Sequence, residues 1–145
     1  MGSEMCIRDS ADPITSNWEV VDSDGYGTLG TGMSLSSGVF TFPSTGIYLI
    51  TLNGYGVATS LDNIFFQVKT TTDNSTYDIA ATVAASSGNA GNYQNSNSSQ
   101  FIFDVTDTTT HKCRFRASSL TSPSYWRGNT GFNATHVTFI RLGDT

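Results

Sequence analysis

The chain has 145 residues, one domain's worth, with 12 acidic and 7 basic side chains and a net charge of −5. Ser, Thr, Asn and Gly make up nearly half of it and only 13% is charged, which argues against a helical bundle or coiled coil and for strands. The acidic balance excludes nucleic acid as a default partner, because phosphate neutralisation needs Lys and Arg, and no apolar run approaches the roughly 18–20 residues of a membrane span.

Residues 1–10 (MGSEMCIRDS) differ in chemistry from everything after them and resemble translated sequencing-adapter sequence. They are expected to be a non-native or disordered segment, leaving one domain over residues 11–145. Cys113, between Lys112 and Arg114, reads as a small buried hydrophobe. Its one possible partner, Cys6, lies in the segment set aside, so no disulfide is expected.

From there the chain reads as short strands separated by turn clusters, the pattern of a sandwich or barrel. Trp18–Val21 is a first strand, closed by Asp22-Ser23-Asp24-Gly25, and Gly27–Gly32 is loop. Met33–Ser36 and Val39–Phe42 alternate apolar and polar residues on a period of two, around Ser37-Gly38. Pro43-Ser44-Thr45-Gly46 is a turn, and Ile47–Gly56 is the longest and most apolar strand. Strands follow at Asn63–Thr71, Tyr77–Ala85, Gln100–Thr106, Lys112–Ser118 and Thr135–Leu142, with low-information loops at Ser86–Ser99 and Ser118–Phe132. No helix and no internal repeat is found.

The segment Ile47–Leu52 is apolar on both sides. Side chains alternate faces along a strand, so Tyr48, Ile50 and Leu52 share one face and Ile47, Leu49 and Thr51 the other. A strand of an antiparallel sandwich normally shows water one face. One face in excess, of either set, therefore points to a subunit interface, for which Tyr48, Ile50 and Leu52 with Phe65 of the next strand are named; cover by loops of the same chain is the other reading.

The run Phe40-Thr41-Phe42-Pro43-Ser44-Thr45-Gly46-Ile47-Tyr48-Leu49-Ile50 resembles the core signature of the C1q/tumour-necrosis-factor-like jelly roll, an aromatic followed six positions later by Gly and then x-Tyr-x-aromatic. Phe40, Gly46 and Tyr48 match it. Ile50 and Leu52 replace the usual aromatics, and Thr28 and Asp22 stand where Asn/Asp and a further aromatic are usual. Phe132–Leu142 is similar to the family's closing strand. The resemblance implies an all-β jelly-roll β-sandwich of about ten antiparallel strands that assembles as a homotrimer, has no catalytic centre or cofactor, and binds partners through loops and side surfaces. The Thr/Asn/Gly-rich loops and terminal FIRLGD look most like C1q-like modules of phage tail fibres and virions, which implies a virion or extracellular location.

Catalytic and metal constellations are poor. Asp22-Ser23-Asp24-Gly25 lacks the third oxygen ligand and the twelfth-position Glu of an EF-hand loop and reads as a turn. His111 and His136 are the only histidines, no G-x-S-x-G elbow accompanies them, and Glu4 and Glu19 are the only glutamates. Phosphate-loop and zinc spacings are absent. Lys112, Arg114 and Arg116 form a basic stripe on one strand face, read as a solvated face or one paired with Asp104 of a neighbour in preference to a stripe for an anionic glycan or surface. Asn74, Asn97 and Asn133 open sequons that matter only in a secreted eukaryotic protein. Tyr125-Trp126-Arg127 is the best ligand-contact candidate, since aromatics and Arg dominate binding hot spots. Its partner would be a cell-surface glycan or protein receptor. A plug role for Trp126 inside the sandwich is the other reading. A carbohydrate-binding module of a secreted protein, with Tyr125 and Trp126 as a flat platform, is the alternative function.

Overall fold

A computed structural model describes residues 2–3, 6–21, 24–89 and 91–145; Glu4, Asp22 and Ser23 lie outside them, and with them part of the turn expected after the first strand. The strands are β1 Gly2–Ser3, β2 Trp18–Glu19, β3 Ser34–Ser36, β4 Val39–Thr41, β5 Gly46–Ala58, β6 Asn63–Thr71, β7 Asp78–Ser86, β8 Tyr93–Val105, β9 Lys112–Ser118, β10 Tyr125–Trp126 and β11 His136–Gly143. They form two antiparallel sheets. In the first, β5 pairs with β8 on one side and with β11 and β10 on the other, and β11 continues through β1 to β2. The second runs β3–β4–β9–β6–β7. All described strands are antiparallel and no helix occurs among the described residues, as a jelly-roll sandwich requires.

The core is a train of rings between the sheets. Trp18 meets Phe40 at 5.4 Å, Phe40 meets Phe115 at 5.2 Å, Phe115 meets Phe66 at 5.8 Å and Phe66 meets Trp126 at 5.9 Å between centroids. Edge-on and offset contacts of this kind add to the area buried. Cys113 sits buried beside Phe40 in the ladder, and desolvation pushes its thiol pKa far up, as expected of an inert core cysteine. Gly46, the matched glycine of the signature, has φ +145°, and a Cβ there would stand 2.6 Å from the Gly143 carbonyl.

Three expectations are corrected. First, Ser86–Ser99 is not all loop: β8 starts at Tyr93 and pairs residue for residue with β5 from Ala58 back to Gly46. Its polar first half is held by backbone ladder bonds. Two inward asparagines also reach across the sandwich, Asn97 Nδ2 donating to the Ala84 carbonyl at 2.7 Å and Asn95 Nδ2 to the Ser86 carbonyl at 3.3 Å.

Second, Tyr125–Trp126 lies inside the stretch read as loop but forms β10, opposite Val57 and Gly56. Third, residues 6–10, expected outside the fold, pack into it. Ile7 is buried and exchanges both backbone hydrogen bonds with Trp126, at 2.8 and 3.0 Å. Ala11 does the same with Ala117, and Ile14 N–H donates to Phe115 O. Trp126 and Phe115 each offer a free ladder edge that this leading segment fills.

Candidate interaction surface

The thirteen-residue β5 organises the surface. Tyr48, Ile50 and Leu52, assigned from sequence to a subunit interface, point into the sandwich and are buried by the chain's own second sheet. Tyr48 keeps its hydroxyl satisfied by donating to the Ser44 carbonyl at 2.9 Å. The face is fixed by parity: Phe42 and Phe103 pack on Tyr48 from inside the sandwich, so its neighbours Ile47 and Leu49 must point outward. Phe65 is half-buried on the outer face of the other sheet, between Ala84 and Ser118, and shares no surface with β5.

What β5 turns outward is ordered by register. Leu49 lies between Ile102 of β8 and Ile140 of β11; one row further along Ile47 lies between Asp104 and Gly143, with Leu142 in the register irregularity of β11 beside it. Ile102 is 61% exposed, Ile140 48% and Leu142 55%. Single exposed apolar residues are ordinary; a contiguous row across three strands is not. The next row is Gln100–Thr51–Thr138, then Ser98–Asn53–His136, then Ser96–Tyr55, where Arg127 N–H donates to the Tyr55 carbonyl at 2.8 Å. The sheet face thus passes from apolar to polar along its length.

The triplet Tyr125-Trp126-Arg127 divides on the same period of two. Trp126 is 0% exposed and fills the end of the core. Gly54 and Gly56 make the room, since a Cβ at Gly56 would come within 2.4 Å of the Ala85 methyl and 2.9 Å of the indole, and one at Gly54 within 2.7 Å. The flat platform expected of a carbohydrate-binding module is therefore not formed by Trp126. Tyr125 and Arg127 point outward. The Arg8 guanidinium lies 4.6 Å over the Tyr125 ring, and that of Arg127 lies 5.2 Å from the Tyr55 ring and 5.7 Å from Phe132.

The contribution of Tyr55 and Phe132 is not visible as a motif. The Gly54-Tyr55-Gly56 run was the available sign, since two glycines in a strand announce a close approach from one side and leave the tyrosine on the other.

The basic stripe is paired within the chain. Asp12 approaches Lys69 at 2.8 Å, Arg114 at 3.0 Å and Arg116 at 3.9 Å. The Arg114 contact is ionic rather than an aligned hydrogen bond, and that guanidinium also lies over the Tyr77 ring at 4.3 Å. Lys112 donates to Thr41 Oγ1 and the Thr108 carbonyl.

The His111 ring meets the hydroxyls of Thr110 at 3.1 Å and Thr106 at 3.3 Å and stacks on Phe103, a turn histidine with its polar atoms used locally. His136 is half-buried on the outer sheet face opposite Asn53, and desolvation lowers its pKa. Asp73 accepts from the backbone of Thr76 and Ser75 and from the Thr71 hydroxyl, which holds its carboxyl well below the usual range. Among the described residues no three His, Cys, Asp or Glu are grouped to hold a metal ion, and no helix is long and apolar enough to cross a membrane.

No family model and no curated protein matches the chain. Solved structures do match. One is a structure of Eiger TNF from S. frugiperda, with a TM-score of 0.59 and 19% identity over 78% of this chain and 70% of that one. At that identity the likeness is one of fold: the chain is an all-β sandwich of the TNF-like jelly-roll type.

Proposed function

We propose that the protein is a non-enzymatic, homotrimeric receptor-binding module of the C1q/TNF-like type, serving in a phage tail fibre or virion and acting outside the cell. The observation that carries the assembly is the Ile102–Leu49–Ile140 row on the outer face of the β8–β5–β11 sheet, extended by Ile47 and Leu142. Full burial of such a side chain is worth about 1.5–3 kcal/mol. These are already half covered, so each stands to gain roughly 1 kcal/mol, several per copy. The fold of the Eiger TNF structure and the Phe40–Leu52 signature support the same reading.

A receptor role rather than catalysis is favoured because the two histidines serve a turn and the sheet face, while the aromatic and arginine side chains gather on one surface. Size-exclusion chromatography with light scattering tests the assembly. A mass three times the 15.5 kDa chain at micromolar concentration is expected. A monomer would refute it.

A further inference from the structure

The polar end of the outer sheet face carries a cation that no carboxylate among the described residues pairs with. Acids outnumber bases 12 to 7, and Asp12 alone draws in three basic side chains. Among the described residues no carboxylate lies within ion-pair reach of Arg127, whose guanidinium is flanked instead by the rings of Tyr55 and Phe132. Ring faces orient a guanidinium without cancelling its charge, so its donor edge, apart from one long bond to the Tyr55 hydroxyl, is left for an anion.

The Tyr55 hydroxyl is itself fixed by Gln94 and accepts weakly from Arg127 at 3.4 Å, so the two side chains are set relative to each other. The nearest rows add Ser96 beside Tyr55 and then Ser98–Asn53–His136, whose imidazole is titratable and is held toward its neutral form by desolvation. Asp104, the acid on this face of β8, stands opposite Ile47, eight residues and about 27 Å along the strand from Tyr55.

We propose that this cluster binds a carboxylate-bearing saccharide, Arg127 taking the carboxylate through its two-pronged donor edge. Phe132, half exposed, packs the apolar face of the sugar ring, and Ser96, Ser98 and Asn53 meet its hydroxyls. A sugar acid fits better than an acidic peptide because the surroundings are hydroxyls and amides on a sheet face beside the rings of Tyr55 and Phe132. The inference rests on the receptor-binding reading and gives that receptor its chemistry.

The test titrates the full chain by calorimetry with N-acetylneuraminic acid, galacturonic acid, galactose, acetate and a glutamate-rich peptide, recording the oligomeric mass of every variant. Expected is binding of at least one acidic sugar at about millimolar strength, with galactose and acetate about tenfold weaker or more. Arg127→Gln should abolish it at unchanged mass. Arg127→Lys should keep a minor part, because an ammonium cannot grip both carboxylate oxygens. Phe132→Ala should weaken the sugar several-fold.

The proposal is overturned if neither acidic sugar binds, if galactose or the peptide binds as well, or if Arg127→Gln leaves affinity unchanged. It is equally overturned if Arg127→Gln dissolves the assembly, because the guanidinium then belongs to the subunit contact. A trimeric wild type that binds no sugar acid overturns this inference and leaves the assembly standing. A monomeric wild type that binds one does the reverse.

Discussion

At the scale of single residues, the molecule depends most on Trp126. Its indole occupies space that Gly54 and Gly56 leave open, and its Nε1–H finds no hydrogen-bond partner among the described residues. Trp126→Ala should cost about 3–5 kcal/mol in a urea melt, the usual range for emptying an aromatic site. Trp126→Phe should cost distinctly less, because it keeps most of the contact and removes an unpaired donor. Gly56→Ala tests the same packing from the other side and should cost about 1–3 kcal/mol by overfilling.

Asp12 is the residue-scale electrostatic centre. Asp12→Ala strands Lys69, Arg114 and Arg116 together and should cost about 1–2 kcal/mol, discounted for partial exposure and shrinking with added salt. His136 sets a pH dependence. Its folded pKa lies below the ordinary 6.5, so the unfolded chain binds the proton first as pH falls. Its contribution is therefore complete above about pH 6.5 and is lost on acidification through the folded pKa. His136→Asn should flatten that part of a stability-against-pH curve, and a slope unchanged by the substitution would contradict the assignment.

At the scale of elements, legibility followed apolar patterning. β6 and β9 appear with the bounds read from sequence, because Ile64, Phe66 and Val68, and likewise Cys113 and Phe115, recur on a period of two, the residues between them being polar apart from Phe65. β8 was legible only in its second half, where Phe101, Phe103 and Val105 alternate. Its first half, Tyr93–Ser99, has nothing to bury and is a strand because β5 is long enough to template it.

The same cause hid β10, two residues whose pairing depends on the glycines of β5. The turn before β5 and the apolar content of both its faces were readable. Which face stayed open was not, because parity alone leaves the choice to the partner sheet. The inward asparagines of β8 stand in for ladder bonds between two sheet edges. Asn97→Ala, which removes the shorter of the two crossing bonds, should speed amide exchange along β7 several-fold with little change in the core strands. Equal effects in β6 and β9 would show that β7 does not open on its own.

At the scale of the whole molecule, the two sheets bury one set of β5 side chains and turn the other outward. The outer face divides into an apolar end centred on Leu49 and a polar end centred on Arg127. The first suits a permanent contact between copies, the second a weaker and more selective one with a receptor.

The most direct measurement is light scattering on Leu49→Arg beside the wild type, with circular dichroism on both. The account predicts a wild-type trimer and a folded Leu49→Arg monomer of unchanged spectrum, since an outward arginine costs the isolated subunit little. A trimer that survives the substitution, or a wild type that is already monomeric, would contradict it.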